Sequence, residues 1–400
     1  MIKHLLKLVW NRKRANLLLM GEIFLSFLVV AMVVAQCVIY ANNFSHSLGF
    51  DYEDIWYVSL NKKHASGSMG FKGEEAQTLK QTHQALLDLD EVEMVAASEH
   101  VPFGGGLSMD SFSKDGRNVS VPYFRVTDEF EEVMKLELVR GRWFDRSDDG
   151  LNWEPVVINQ TLARALFGTK NPVGEKLEAR GHNELRVIGV IAAFRTGVFS
   201  APGNFAFKRA SWSKGADQWH GLPAKFLFRA SPEGAQVFEK RLRNELRDAS
   251  RNWGIDIGTL SQRRETDLKN LLILPIAEGI IAFFLLLMVG LGLSGVLWQN
   301  ITRRTREIGL RRALGAVAGN IYGQFLGELL VMTTVAMVAG TAVIVQFELF
   351  DNLVGRASGE VYLYSLSVAL AVIYGLIILC GLYPSWMATR VQPVEALHYE

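Results

Sequence analysis

The sequence predicts an α-helical membrane protein with four transmembrane helices and a large α+β extracytoplasmic domain inserted between helices 1 and 2. Three observations carry this expectation. Four apolar runs, residues 17–40, 271–297, 321–347 and 362–387, can each cross a hydrocarbon layer of about 30 Å, which takes about 20 helical residues. Residues 41–270 are of mixed polarity and long enough to fold on a core of their own. Residues 302–315, TRRTREIGLRRALG, lie between the second and third runs and hold five arginines, at 303, 304, 306, 311 and 312. A cation at the bilayer centre costs at least ~2.5 kcal/mol, so this segment marks a loop. The 49% hydrophobic content agrees with the assignment.

Short flanks set orientation, because long domains translocate regardless of their charge. The N-terminal segment 1–16 carries Lys3, Lys7, Arg12, Lys13 and Arg14, and the loop 298–320 carries the five arginines. The loop 348–361 has Arg356 against Glu348, Asp351 and Glu360. The N-terminus, the arginine loop and the tail 388–400 are therefore expected in the cytoplasm and residues 41–270 outside. The first run is too long for the core of a signal peptide and reads as an uncleaved anchor. Cys37 and Cys380 fall near opposite ends of their spans, too far apart for a disulfide.

The insertion reads as two βαβ units flanking a further subdomain. Residues 54–60, 74–89 and 92–97 give strand, amphipathic helix and strand, and residues 224–229, 232–251 and 254–260 repeat the order. The porter-like parts are thus 41–101 and 224–270, a split α+β arrangement. The inserted subdomain 102–223 is richer in glycine and in strand-like runs at 119–126, 155–158 and 185–191, with a helix at 159–167 that Asn159 is placed to cap.

Several chemistries lose support. A net charge of +1 with no basic face outside the flanks gives no reason to expect nucleic acid. Eight scattered histidines show no metal-ligand spacing, and no Gly-Lys dipeptide exists for a Walker A loop. Residues 290–295, GLGLSG, fit G-x-G-x-x-G but lie in an apolar span without a preceding strand, so close helix packing is the better account. Gly315, Gly319, Gly323 and Gly327, spaced by four, form one helical stripe, a packing face that could also slide. Glu22, Glu278 and Glu328 fall within spans, where an acid must be paired, solvated or neutralised. Glu22 and Glu278 lie near span ends, suited to snorkelling or capping, and Glu328 is deeper, a candidate for functional coupling. Trp10, Trp298, Tyr362, Tyr383 and Trp386 anchor span ends in membrane lipid at the interface. Residues 302–314 can form a short helix in which Glu307 pairs with Arg303 or Arg311 and leaves Ile308 and Leu314 as apolar contacts. A purely topogenic basic loop is the alternative.

Two groups of motifs carry a family resemblance. Gly141-Arg142-Trp143-Phe144, the helix 159–167, Asn171-Pro172-Val173-Gly174 and Val187-Ile188-Gly189-Val190 resemble the periplasmic core domain of MacB-type permeases. TREIGLRRALGA, followed by a span, and the closing Pro393-Val394-Glu395-Ala396-Leu397-His398-Tyr399-Glu400 resemble the FtsX-type permease domain of the MacB/FtsX/LolC superfamily of ABC transporters. The resemblance covers nearly the whole chain; the first span, ANLLLMGEIFLSFLVV, matches the MacB pattern less well. It implies a non-catalytic permease of the bacterial inner membrane. Thr305, Arg306, Glu307, Ile308, Gly309, Arg311, Arg312, Leu314 and Gly315 would form the ATPase-coupling helix. ATP and Mg would be bound by a separate ABC ATPase subunit, this chain holding no cofactor. The family further implies a second permease chain, identical or related, and a periplasmic adaptor with an outer-membrane channel. Mechanotransmission would export or extract a peptide, lipoprotein or hydrophobic small molecule. The rival function is FtsX-like regulation of a periplasmic cell-wall hydrolase.

Overall fold

The structure, a computed structural model, describes residues 13–61, 74–179, 184–212, 222–231, 234–250, 253–303, 318–349 and 359–389. The chain divides into two compact units, an outer one of Asn43–Asn270 and a membrane one of Met1–Asn42 with Leu271–Glu400. Among the described residues, four helices are long and apolar enough to cross a membrane: α1 (Lys13–Phe44), α6 (Leu260–Arg303), α7 (Ala318–Leu349) and α8 (Gly359–Thr389). An α+β domain lies between the first two of them.

In the outer unit, β1 (Ile55–Asn61), α2 (Glu74–Leu87) and β2 (Val95–Ser98) form one βαβ unit. The other is β10 (Lys225–Arg229), α5 (Ala235–Ala249) and β11 (Gly254–Thr259). Their strands interleave antiparallel in the order β11-β1-β10-β2. Both faces of the sheet are covered over β1, β10 and β2, so these strands lack a polar face. Trp56, Val58, Phe226 and Phe228 pack with Leu79, Leu86, Phe238 and Leu242 of α2 and α5, while Ile55, Tyr57 and Leu227 join an aromatic core on the other side.

Element ends differ from the periodicity by a few residues, for local reasons. The first strand begins at Ile55, not 54, because Asp54 adopts φ 57 and turns the chain. The strand expected from 92 starts at Val95, since the Val92 amide closes a turn onto the Leu89 carbonyl after α2.

Between the two βαβ units lie β3 (Ser108–Lys114), β4 (Arg117–Val126), α3 (Phe130–Met134), β5 (Leu138–Gly141), β6 (Glu154–Asn159), α4 (Gln160–Phe167), β7 (Lys176–Ala179), β8 (Leu185–Ile191) and β9 (Ala206–Arg209). The path β4-β3-β7-β8-β6-β9 closes on itself, because β9 also pairs parallel with β4. Closure removes the free edges that would otherwise template association. β2 joins this ring through a single residue pair, Ser98 with Val126. Asn159 caps α4 as its position predicts, accepting from the Leu162 amide, and also ties down the Phe205 amide and the Gly203 carbonyl. Gly141 has φ 75, and a Cβ there would fall 2.2 Å from the Ile188 carbonyl oxygen, so the turn leaving β5 against β8 requires glycine.

Charged side chains are buried in the ring, each with a partner. Lys208, with none of its surface exposed, places Nζ 2.6 Å from Asp110 Oδ2 and over the Tyr123 ring. Arg209 bonds both Asp128 and Asp149 at 2.6 Å, and Arg125 bonds Glu154.

In the membrane unit, Leu19, Ile23, Phe27 and Val30 of α1 lie at helical spacing and share one cluster with Val289 and Leu293 of α6, Leu329 and Met337 of α7 and Ala369 and Ile373 of α8. Glycines allow close approach between these helices. A Cβ on Gly340 would meet the Phe27 ring at 2.5 Å, and one on Gly290 the Cys380 Sγ at 3.2 Å. The Thr334 and Tyr374 hydroxyls, 2.9 Å apart, link α7 to α8.

Candidate functional site

The outer unit contains the end of α1 and, in residues 260–270, the start of α6. These two segments are gathered on one loop, residues 193–200. Asn43 Nδ2 donates to the Phe199 carbonyl at 2.9 Å, and the Phe44 and Phe199 rings meet at 6.2 Å. Just beyond α1, Gly49 has φ 82 and lies so close to Ala193 that a Cβ would sit 2.1 Å from its carbonyl oxygen. The Arg195 amide donates to the Leu48 carbonyl at 3.0 Å.

The Arg195 side chain is 4% exposed, and all of its hydrogen bonds go to main-chain carbonyls. Nη1 reaches His46 and Ser47, Nη2 reaches Val198 and Ser200, and Nε reaches Ser200. Burial pushes this guanidinium below its ordinary range. The first turns of α6 approach the same loop. A Cβ on Gly197 would lie 3.6 Å from Asp267 Oδ2. Arg263 stacks over Tyr57 at 4.7 Å, and Arg264 over Tyr52 at 4.9 Å. Leu260, fully buried, is part of the aromatic core with Phe194 and Val198.

One constellation invites a catalytic reading. His100 Nε2 lies 3.0 Å from Ser108 Oγ, and that hydroxyl donates to Glu99 Oε1 at 2.9 Å. The hydroxyl proton is thus held by the acid, and the buried Nδ1 of His100, which an orienting acid would have to engage, has no partner among the described residues. Burial, reinforced by the Lys225 charge, lowers the imidazole pKa to about 4, which keeps it neutral. The group is a buried polar link and not a nucleophile with its base.

The coupling residues Thr305, Arg306, Glu307, Ile308, Gly309, Arg311, Arg312, Leu314 and Gly315 lie outside the described residues. Gly319 is within α7. Gly323 is exposed, with nothing within 4 Å of its Cβ direction, and Gly327 is half-buried. Among the described residues nothing faces Gly323, and tight approaches between helices fall at Gly290, Gly292, Gly340 and Gly381. Glu22, expected to snorkel, is half-buried and points at α6, its Oε2 3.2 Å from the Cβ direction of Gly292. Glu278 buries Oε2 without a hydrogen-bond partner among the described residues. It lies about 21 Å along α6 from Gly292, so the two acids do not meet. Glu328 is half-buried on α7. The residues missed by sequence reasoning are Asn43, Arg195 and Asp267. An arginine just after an apolar strand looks like any surface arginine, and only the folded loop shows that it is enclosed.

Two family models match the chain, the MacB-like periplasmic core domain over residues 25–220 and the FtsX-like permease C-terminal domain over residues 279–393. The macrolide export ATP-binding/permease protein MacB of Neisseria meningitidis serogroup A / serotype 4A is 25% identical over 357 residues, covering 86% of this chain and 53% of that protein. An uncharacterized ABC transporter permease, YknZ of Bacillus subtilis, is 28% identical over 286 residues, covering 69% of each. The solved periplasmic region of MacB from Actinobacillus actinomycetemcomitans aligns with a TM-score of 0.41 and 14% identity, covering 56% of this chain and 96% of that one. The chain spans about half the length of the MacB relatives it matches.

Proposed function

The chain belongs to the MacB/FtsX family of ABC transporter permeases, and from that premise we propose that it works by mechanotransmission. An ABC ATPase subunit, carrying ATP and Mg, docks on residues 305–315 from the cytoplasm. Closure of two such subunits shifts the loops of two paired permease chains, and the spans carry the movement to the outer units. The work falls on cargo already outside the cytoplasm, a peptide, lipoprotein or hydrophobic small molecule, passed to a periplasmic adaptor and outer-membrane channel. The observation that supports this most is the joint occurrence of a MacB-like core between the first two spans and an FtsX-like segment containing the arginine loop. The N-terminus, that loop and the tail are then cytoplasmic, and residues 41–270 periplasmic.

At the docking surface, exposed ion pairs contribute only ~0.2 to 1 kcal/mol each, so Ile308 and Leu314 matter as much as the arginines. Ile308→Asp places a charge in that apolar contact. In reconstituted permease–ATPase particles it is expected to abolish the dependence of ATP hydrolysis on the permease. Unchanged permease-dependent hydrolysis in the variant would refute the docking assignment.

A further inference from the structure

Resting on that reading of the chain as a permease driven from below, we infer that Arg195 is a positioning residue: it clasps the outer end of the first span to loop 193–200, beside the start of the second span, so that all three move as one. The argument begins with what Arg195 bonds. Carbonyls of irregular backbone have no ladder partner, and leaving them buried without donors is costly. The guanidinium fork supplies donors in several directions at once, and here it reaches two carbonyls just beyond α1 and two on its own loop. No carboxylate is among these partners, so the cation's place is set by main-chain geometry alone, and the main chain's by the cation.

The surrounding contacts act in parallel. Asn43 and Phe44 hold Phe199, Gly49 abuts Ala193, and Asp267 lies against Gly197. Loop 193–200 directly continues from β8 and precedes β9, two strands of the closed ring. Phe194 and Val198 insert from it into the aromatic core that also takes Leu260. Displacement of α1's end is thereby passed to the ring by short, buried contacts. A merely space-filling role would be met as well by an apolar side chain, which would leave those four carbonyls free to part.

The test uses the intact permease–ATPase particle in nanodiscs, with amide hydrogen exchange measured with and without ATP and vanadate, and with ATP hydrolysis measured in parallel. In the wild type, nucleotide trapping is expected to change exchange both in residues 43–50 and in β8 to β9. Arg195→Lys keeps the charge but cannot fill the fork. It is expected to hydrolyse ATP and to keep the change at 43–50 while losing that in β8 to β9. Asn43→Ala, which removes the bond to Phe199, is expected to weaken the same response and carries the test should the Arg195 variant fail to fold. A response in β8 to β9 equal to wild type in the variants would overturn the clasp and leave the permease reading standing. A wild-type particle blind to nucleotide would overturn the reading itself, and the clasp with it.

Discussion

The outer unit and the membrane unit bury their apolar residues in different ways. In the outer unit, successive residues of one strand serve two cores: Ile55 and Tyr57 face the aromatic core, Trp56 and Val58 the helices α2 and α5. In the membrane unit only 28 to 33% of the most apolar window of each span is buried, and Ile273, Ile280, Phe284 and Leu291 are more than half exposed. The outer unit is therefore closed on itself, with Arg125, Lys208 and Arg209 paired to acids inside it, while the membrane unit leaves most of its apolar surface to lipid or another chain. The proposed mechanotransmission would draw on both kinds of body, one that keeps its shape and one with neighbours it can slide against.

That contrast can be broken at its strongest point first. Lys208→Met would leave Asp110 charged in a buried setting, and loss of one partner of such a pair costs about 3–5 kcal/mol. Denaturant unfolding of the whole protein in detergent, followed on the outer unit, should show a lower midpoint, and adding Asp110→Leu should recover part of the loss. In the membrane unit, Gly340 admits the Phe27 ring at close range. Gly340→Leu, forced against Phe27, should cost about 1–3 kcal/mol by overpacking, read as a lower melting temperature in detergent. Leu291→Ala, at a side chain 74% exposed, should change stability by no more than about 0.5 kcal/mol in detergent. A large effect at Leu291 would show that another chain covers this face, and would sharpen the comparison.

Much of this contrast was legible in the sequence. Length and hydropathy locate the spans, because lipid demands uninterrupted apolar helix; the alternation and periodicity at 54–60, 74–89 and 224–260 locate the two βαβ units, because strands and helices expose different periods. Asn159 announced its helix, since a cap acts within a few residues. What the sequence hid is non-local. The pairing of β9 with β4 that closes the ring joins residues far apart in the chain, with no residue-type signature. The enclosure of Arg195 depends on main-chain carbonyls of residues 46 and 47, which carry no residue-type signature. Span two was expected from 271, yet its helix starts at Leu260, because residues 261–270 are polar but for Leu268 and hydropathy reads lipid contact, not helix. The close approach of the Phe27 ring to Gly340 was hidden too, since it depends on which residue another helix sets opposite the glycine.

The central claim, that this permease acts with an ATP-hydrolysing partner beneath the membrane, is tested most directly by isolating the native particle. The tagged chain would be purified from its membranes in mild detergent, its subunits identified by mass spectrometry and its ATP hydrolysis measured. The account predicts an ABC ATPase in equal copy number with the permease and hydrolysis inhibited by vanadate. An active particle with no ATPase subunit would contradict it.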